Sequence, residues 1–198
     1  MAEIKLFDEW SFQDVEVHDP GLENVVCLDP IMTPKSQGRH SDKQFYKSDV
    51  NVVERLLNRM YVAGHRGKKH KITSGINTGK SQKLWKIVKS AFEKIEEEEE
   101  KNPVQVLVSA IENSAPMEEV VTFQRGGIMA RKAVIVSPQR RVDLALRMIV
   151  QGAYENRLAN DTDAEDALAQ EILKAYREEK CRAIREKERR EREAEGAR

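Results

Sequence analysis

EVVTFQRGGIMARKAVIVSPQRRVDLALRMIV, Glu119–Val150, decides the fold. Two strand-forming runs, Val120–Arg125 and Ile128–Val136, flank Gly126 and Gly127, and adjacent glycines accept the positive φ that a tight primed turn requires. With those glycines as the loop, Arg125 faces Ile128, Phe123 faces Ala130, Thr122 faces Arg131 and Val121 faces Lys132. Basic residues then reach both faces near the tip, so the tip cannot pack on a core. Only the base, with Val120, Val121, Val134, Ile135 and Val136, is expected to be buried. The expectation is a two-stranded arm projecting from a domain; a surface hairpin with solvated charges is the alternative.

Directly after it, Ser137 is a natural N-cap, Pro138 fits the first helical position, and Arg140 and Arg141 fall in the first turn. Cations are misplaced there, because the helix dipole already puts partial positive charge at that end. An anion outside the helix would correct this, and a phosphate backbone supplies one. Both arginines are therefore expected to be exposed, with Arg147 extending the same stripe. Val142, Ala145, Leu146, Ile149, Val150 and Ala153 form the opposite, core-facing stripe.

Working outward, the rest of the chain reads as helices joined by short links. Ser48 or Asp49 caps a helix with Val52, Val53, Leu56, Leu57 and Met60 as its apolar stripe and Gly64 as its stop; Arg55 and Arg59 are expected on its outer face. A basic loop, HRGKKHKITSGINT, precedes a second helix from about Lys80 to Glu98 whose core face is Leu84, Ile87, Val88, Ala91, Phe92 and Ile95. That helix carries lysines at its start and glutamates at its end, against the dipole at both ends, which calls for partners. Asn102-Pro103 opens a third, with Val104, Leu107, Val108 and Ile111 inward. After Asn160 an acid-rich start leads a helix with Leu168, Ile172, Leu173 and Tyr176 inward. Residues 181–198 form a charged C-terminal helix, either solvated or docked. Residues 1–47 are expected to be an extended arm, acidic then basic, that docks on something, and 48–180 the helical domain.

Composition narrows the function. The chain has 198 residues, 34% of them charged, and zero formal net charge, yet the charges are segregated. Met1–Pro30 holds eight acids against one base, whereas Lys35–Lys89 holds fourteen bases against three acids. A local field of that kind, not the total, governs attraction to a polyanion. Cys27 and Cys181 are two distant thiols in a chain with no signal-peptide pattern and no apolar run long enough to span a bilayer, so a reduced, intracellular protein without a membrane partner is expected. The histidines and cysteines show no metal-ligand spacing, so no metal or cofactor is expected.

GINTGKS, Gly75–Ser81, approaches a phosphate-binding loop but fails it: only three residues separate Gly75 from Gly79, Ser74 stands where glycine is needed, and no buried strand precedes it. No nucleophile triad or isolated carboxylate pair is present, so an enzyme is not expected. Aromatics make up 6%, which points to phosphate contact and shape recognition of folded RNA rather than to base stacking as the main mode. A protein-interaction scaffold pairing its charge blocks with complementary partners is the competing class.

VVERLLNRM (Val52–Met60), Gly79-Lys80 with KIVKSAFEKI (Lys86–Ile95), NPVQVLVSAIENSAP (Asn102–Pro116) and ARKAVIVSPQRRVDLALRMIV (Ala130–Val150) together resemble the small-subunit ribosomal protein seven family in its archaeal and eukaryotic form. The resemblance implies a mainly α, single helical domain of about six helices with a protruding two-stranded β-hairpin. It implies a primary binder of small-subunit rRNA in the cytoplasmic ribosome that organises the head domain. It also implies a hairpin near the exit tRNA site and the mRNA path, and neighbouring head and platform proteins as partners. Lys80, Arg131, Lys132, Arg140 and Arg141 match the family's basic positions; the basic surface adds Arg39, Arg55, Arg59, Lys68, Lys69, Lys71, Lys83, Arg125 and Arg147 as candidate RNA contacts. The family often breaks its last two helices with small residues, whereas LKAYREEKCRAIREK is helix-forming throughout, so the break is shifted or absent here. The acidic arm reads as a variable extension suited to docking on protein.

Overall fold

The computed structural model describes residues 3–64 and 77–198. Among them are six α-helices and one hairpin: α1 (Val52–Met60), α2 (Ser81–Glu99), α3 (Pro103–Ser114), β1 (Glu118–Arg125), β2 (Ile128–Ile135), α4 (Pro138–Asn160), α5 (Ala164–Tyr176) and α6 (Arg182–Glu195). The mainly α architecture is as expected. Every residue assigned to the core stripes of the first, second, third and fourth helices is buried, because each stripe repeats at the helical period and faces a neighbouring helix. α5 packs against α2, α3 and α4, and α1 closes over α4 and α2.

The helix starts follow capping chemistry. Asn102 accepts the Val104 N–H with Pro103 at the first position of α3. α1 is capped by Asn51, which accepts from Val53 N–H, rather than by Ser48 or Asp49. Those two belong to a separate 3-10 turn, Tyr46–Asp49, and Val50 is extended after it. Ser137 stands at the N-cap of α4 without making a side-chain capping bond.

Residues 3–50 wrap over the helices instead of standing off. Leu6, Trp10, Phe12, Val15, Leu22 and Val26 are buried in the same core as the helices. Trp10 meets Phe92 edge-on at 5.6 Å between centroids and donates its indole N–H to Glu96 at 2.9 Å. Thus the surface on which the acidic segment docks is the chain's own domain. Glu96 finds its partner there, and Glu98 and Glu99 pair with Arg177 at 2.7 and 2.5 Å, so the dipole-opposed end of α2 is neutralised internally.

α5 and α6 are separated without a glycine. Glu178 takes the left-handed conformation (φ 57°), and Glu179 N–H bonds Lys174 O while Glu178 N–H bonds Ala175 O, a Schellman ending. Cys181 then caps α6 through its sulfur. Glu171, on α5 and 2% exposed, accepts the Arg182 N–H and an Asn156 side-chain N–H, tying the start of α6 to α5 and α4. Burial pushes its carboxyl above the usual range, and those two donors and nearby Lys174 only partly offset this. Gly152 of α4 lets Glu171 approach: a Cβ there would stand 2.0 Å from Glu171 Oε1.

The hairpin register is the expected one, including Arg125 opposite Ile128 and Val121 opposite Lys132, with Gly126 and Gly127 at φ 58° and 83°. Its base is drier in expectation than in fact. Val136 is buried, Val120 and Val134 are half-buried, but Val121 is exposed and Ile135 is 86% exposed. The reason is that the base is held by charge: Arg190 of α6 lies 3.5 Å from Glu119, Arg198 bonds Glu118 at 2.5 Å, and Glu191 accepts the Met117 N–H at 3.0 Å. The C-terminal helix is therefore docked.

Candidate nucleic-acid interface

The first turn of α4 resolves its misplaced arginines with carboxylates. Arg140 makes a bidentate pair with Glu119 at the hairpin base, Nε–Oε1 2.6 Å and Nη2–Oε2 2.8 Å, while its side chain stays half exposed. Arg141 is not exposed, contrary to expectation. It is 7% accessible, and its Nη2 bonds Asp19 Oδ2 at 2.6 Å because the arm crosses the helix start at that point. Arg55 is also misassigned to an outer face. The arm covers that side of α1, and the guanidinium is buried, donating to Val25 O at 2.9 Å and to Asp143 Oδ1 at 3.2 Å. Burial lowers its pKa, with Asp143 opposing the shift.

Once these pairs are set aside, a different set of cations remains. Arg59 of α1 and Arg147 of α4 line a groove with Glu186 and with Arg182, Arg189 and Arg190 of α6, which pair with Glu155, with Glu186 and Glu193, and with Glu119 respectively. Neither Arg59 nor Arg147 has a carboxylate within ion-pairing distance among the described residues. Burial, then the charges of Arg59 and Arg140, push the Arg147 guanidinium below its usual value, with Asp143 opposing the shift, so these three arginines sit close enough to repel. An arginine remains charged at neutral pH even so. Arg190 is lowered for the same reasons, burial first, with Arg189 and Arg140 adding repulsion against the pull of Glu119 and Glu186. The buried Nε atoms of Arg182 and Arg190 have no acceptor.

The groove continues towards α2. Tyr61, two residues after Arg59, bonds Ser81 at 2.7 Å, which joins the end of α1 to the start of α2, where Lys80 and Lys83 are exposed. On the hairpin, Arg131 and Lys132 are exposed with no acid paired to them among the described residues. Arg39 is likewise exposed on the arm. Lys68, Lys69 and Lys71 and the side chain of Arg125 lie outside the described residues.

Arg182, Arg189 and Arg190 were absent from the expected contacts. Their signal was present, since positions 182, 189 and 190 repeat at about two helical turns and share one face. Alternating charge along residues 181–198 concealed it. The described residues hold no group of three or more His, Cys, Asp or Glu that could bind a metal, and no helix long and apolar enough to cross a membrane. What the arrangement can do is bind polyanion: Arg59 and Arg147 in the groove, and the ammonium and guanidinium groups of the α2 start and the hairpin, have no paired carboxylate among the described residues.

The family described as ribosomal protein S7p/S5e matches residues 29–198. The small ribosomal subunit protein uS7 of Nanoarchaeum equitans is 46% identical over 196 residues, 98% of this chain and 99% of that protein. That of Haloarcula marismortui is 44% identical over 198 residues, 100% of this chain and 90% of that protein. That of Methanosphaera stadtmanae is 44% identical over 195 residues, 98% of each chain. The family match begins after the acidic segment, but the Haloarcula alignment runs through it, so that segment is not an addition peculiar to this chain.

Proposed function

The chain belongs to the ribosomal protein S7p/S5e family, and from that premise we propose that its cationic groove and hairpin bind the RNA of the small ribosomal subunit. It is a structural, non-enzymatic constituent of the cytoplasmic ribosome. In the proposed mode, Arg59, Arg147 and the α6 arginines take phosphates in the groove. Lys80 and Lys83 extend the track along α2, and Arg131 and Lys132 contact RNA beside the hairpin. By organising RNA around several elements at once, the protein acts early in assembling the head of the subunit, beside other head and platform proteins. The hairpin tip, with Gly126, Gly127, Ile128 and Met129 all exposed, is the part left to approach exit-site tRNA and mRNA.

One observation carries the proposal. In a chain of zero net charge, acids pair off the buried arginines, yet Arg59 and Arg147 are held together with no carboxylate in ion-pairing distance of either among the described residues, and Asp143 only partly offsets their repulsion. Mutual repulsion of that kind is relieved by a bound phosphate. The scaffold alternative needs free charge blocks, and several of these pair inside the chain, Asp19 with Arg141 and Glu9 with Lys89.

The test is binding of the full chain to a small-subunit rRNA transcript across salt. Neutralising around six phosphates lowers affinity on the order of a thousandfold between 50 and 200 mM salt. Replacing Arg59 and Arg147 together by alanine reduces the slope of log affinity against log salt by about two units. A flat salt response, or equal affinity for random duplex, refutes the proposal.

A further inference from the structure

We infer that Phe45 is a base-stacking residue, which takes an unpaired nucleotide of the bound RNA onto its ring. The inference rests on the RNA-binding reading and adds to it a contact of a different chemistry.

Phe45 has no structural reason of its own to be where it is. The residue is 67% exposed, so it contributes little to the core, and its backbone is left-handed at φ 60°, a region that bulky residues rarely occupy. A small or polar residue would fit the conformation better, and a polar one would fit the exposure. Strained, exposed residues persist where something outside the chain uses them.

The surroundings identify what that is. The Phe45 carbonyl accepts the Ser48 N–H at 3.0 Å, closing the 3-10 turn Tyr46–Asp49, and Lys47 on that turn bonds Asp143 of α4 at 2.6 Å. Asp143 lies three residues after Arg140 and four before Arg147, on one face of α4. Lys47, two residues after Phe45, therefore ties the turn that carries the ring to the α4 face that holds Arg140 and Arg147. Arg39 and Lys43, both exposed and without a paired acid among the described residues, precede it by six and two residues in the chain, and Tyr46, which follows it, is exposed as well. An aromatic face set among unpaired cations matches a nucleotide, whose base stacks while its phosphate is neutralised. An apolar protein partner would gain from the ring but not from the flanking charges.

The test uses the full chain and the same small-subunit rRNA transcript. Phe45→Ala and Phe45→Gly should each weaken binding about 5- to 150-fold, the range for losing one stacked base. Phe45→Trp should stay near the parent. The slope of affinity against salt should be unchanged in all three, because no phosphate contact is removed. Gly relieves the left-handed strain, so retained or raised thermal stability with lost affinity separates a binding role from a folding one. In Phe45→Trp, tryptophan emission should be quenched by added oligoadenylate beyond the response of the parent. Binding of Phe45→Ala within twofold of the parent, with the parent still binding, overturns this inference alone. Failure of the parent to bind the transcript overturns the RNA reading with it, and a Phe45→Ala chain that binds RNA normally but loses a protein neighbour assigns the ring to protein instead.

Discussion

Asp19→Ala isolates the contact that most changes the picture of α4. In the folded chain Asp19 Oδ2 accepts from Arg141 at 2.6 Å and Oδ1 accepts the Gly21 N–H at 2.8 Å. Removing one partner of a fully buried pair costs ~3–5 kcal/mol, because a charge is left stranded, whereas exposed pairs are worth ~0–1 kcal/mol. Here the Arg141 side chain is 9% exposed and that of Asp19 22%, so the pair lies between those limits. A loss of about 2 kcal/mol at neutral pH is expected, read by urea unfolding at constant slope. Arg141→Met should cost somewhat less, since Asp19 keeps partial access to water, and the double variant should reveal a coupling of about 1.5 kcal/mol. The pH dependence has a definite sign. Burial would raise the Asp19 pKa, but the Arg141 hydrogen bond and the Gly21 N–H outweigh it and hold it below 3.8. Its contribution is then complete above 3.8 and disappears as pH falls through the lower folded value, so parent and Asp19→Ala converge in acid. A coupling below about 0.5 kcal/mol, or an Asp19→Ala chain of parental stability that binds RNA more tightly, would show that Arg141 is a restrained phosphate contact and not a fastening for the arm.

Gly152→Ala should destabilise by about 2–3 kcal/mol in thermal unfolding, although helix propensity alone favours alanine by about 1 kcal/mol, because Glu171 cannot retreat without breaking its bonds to Arg182 and Asn156. Glu178→Gly should stabilise by about 1 kcal/mol, measured the same way, by removing the left-handed strain of the Schellman ending. Glu171→Gln should gain on the parent as pH rises from 4.5 through the folded pKa of Glu171, since a carboxyl raised by burial stabilises the fold below its unfolded value and loses that contribution as it ionises; equal pH profiles would contradict the account of its burial.

Element existence was legible because it depends on period. Val52, Leu56 and Met60, or Leu84, Val88, Phe92 and Ile95, repeat at one helical face, and the glycine pair sets the hairpin register without tertiary help. What failed depends on distant residues. Arg55 and Arg141 lie on faces that would be solvent-exposed in a bare helix; they are buried because residues 19–25 cross them, and no local pattern encodes that crossing. The same holds for the anion at the α4 start. Electrostatics correctly demanded one, but Glu119 and Asp19 met the demand before any phosphate was needed. The break after Tyr176 was illegible for another reason: its usual marker is glycine, and here an acidic residue adopts the glycine conformation. The α1–α4–α6 groove was half visible, as Arg59 and Arg147 without their α6 counterparts.

The ionic fastening of the hairpin base by α6 has a consequence for synthesis. Glu118 and Glu119 emerge some seventy to eighty residues ahead of Arg190 and Arg198, which hold them. During translation the hairpin can close its own register early, since its pairing is local, yet its direction relative to the body is set only by Arg140 of α4 on Glu119 until the last helix adds its own pairs. Shape within the probe and aim of the probe are thus acquired at separate times. An unfinished chain would carry a formed but loosely aimed hairpin, and ionic strength, which leaves β1–β2 pairing largely untouched, would act on the aim alone.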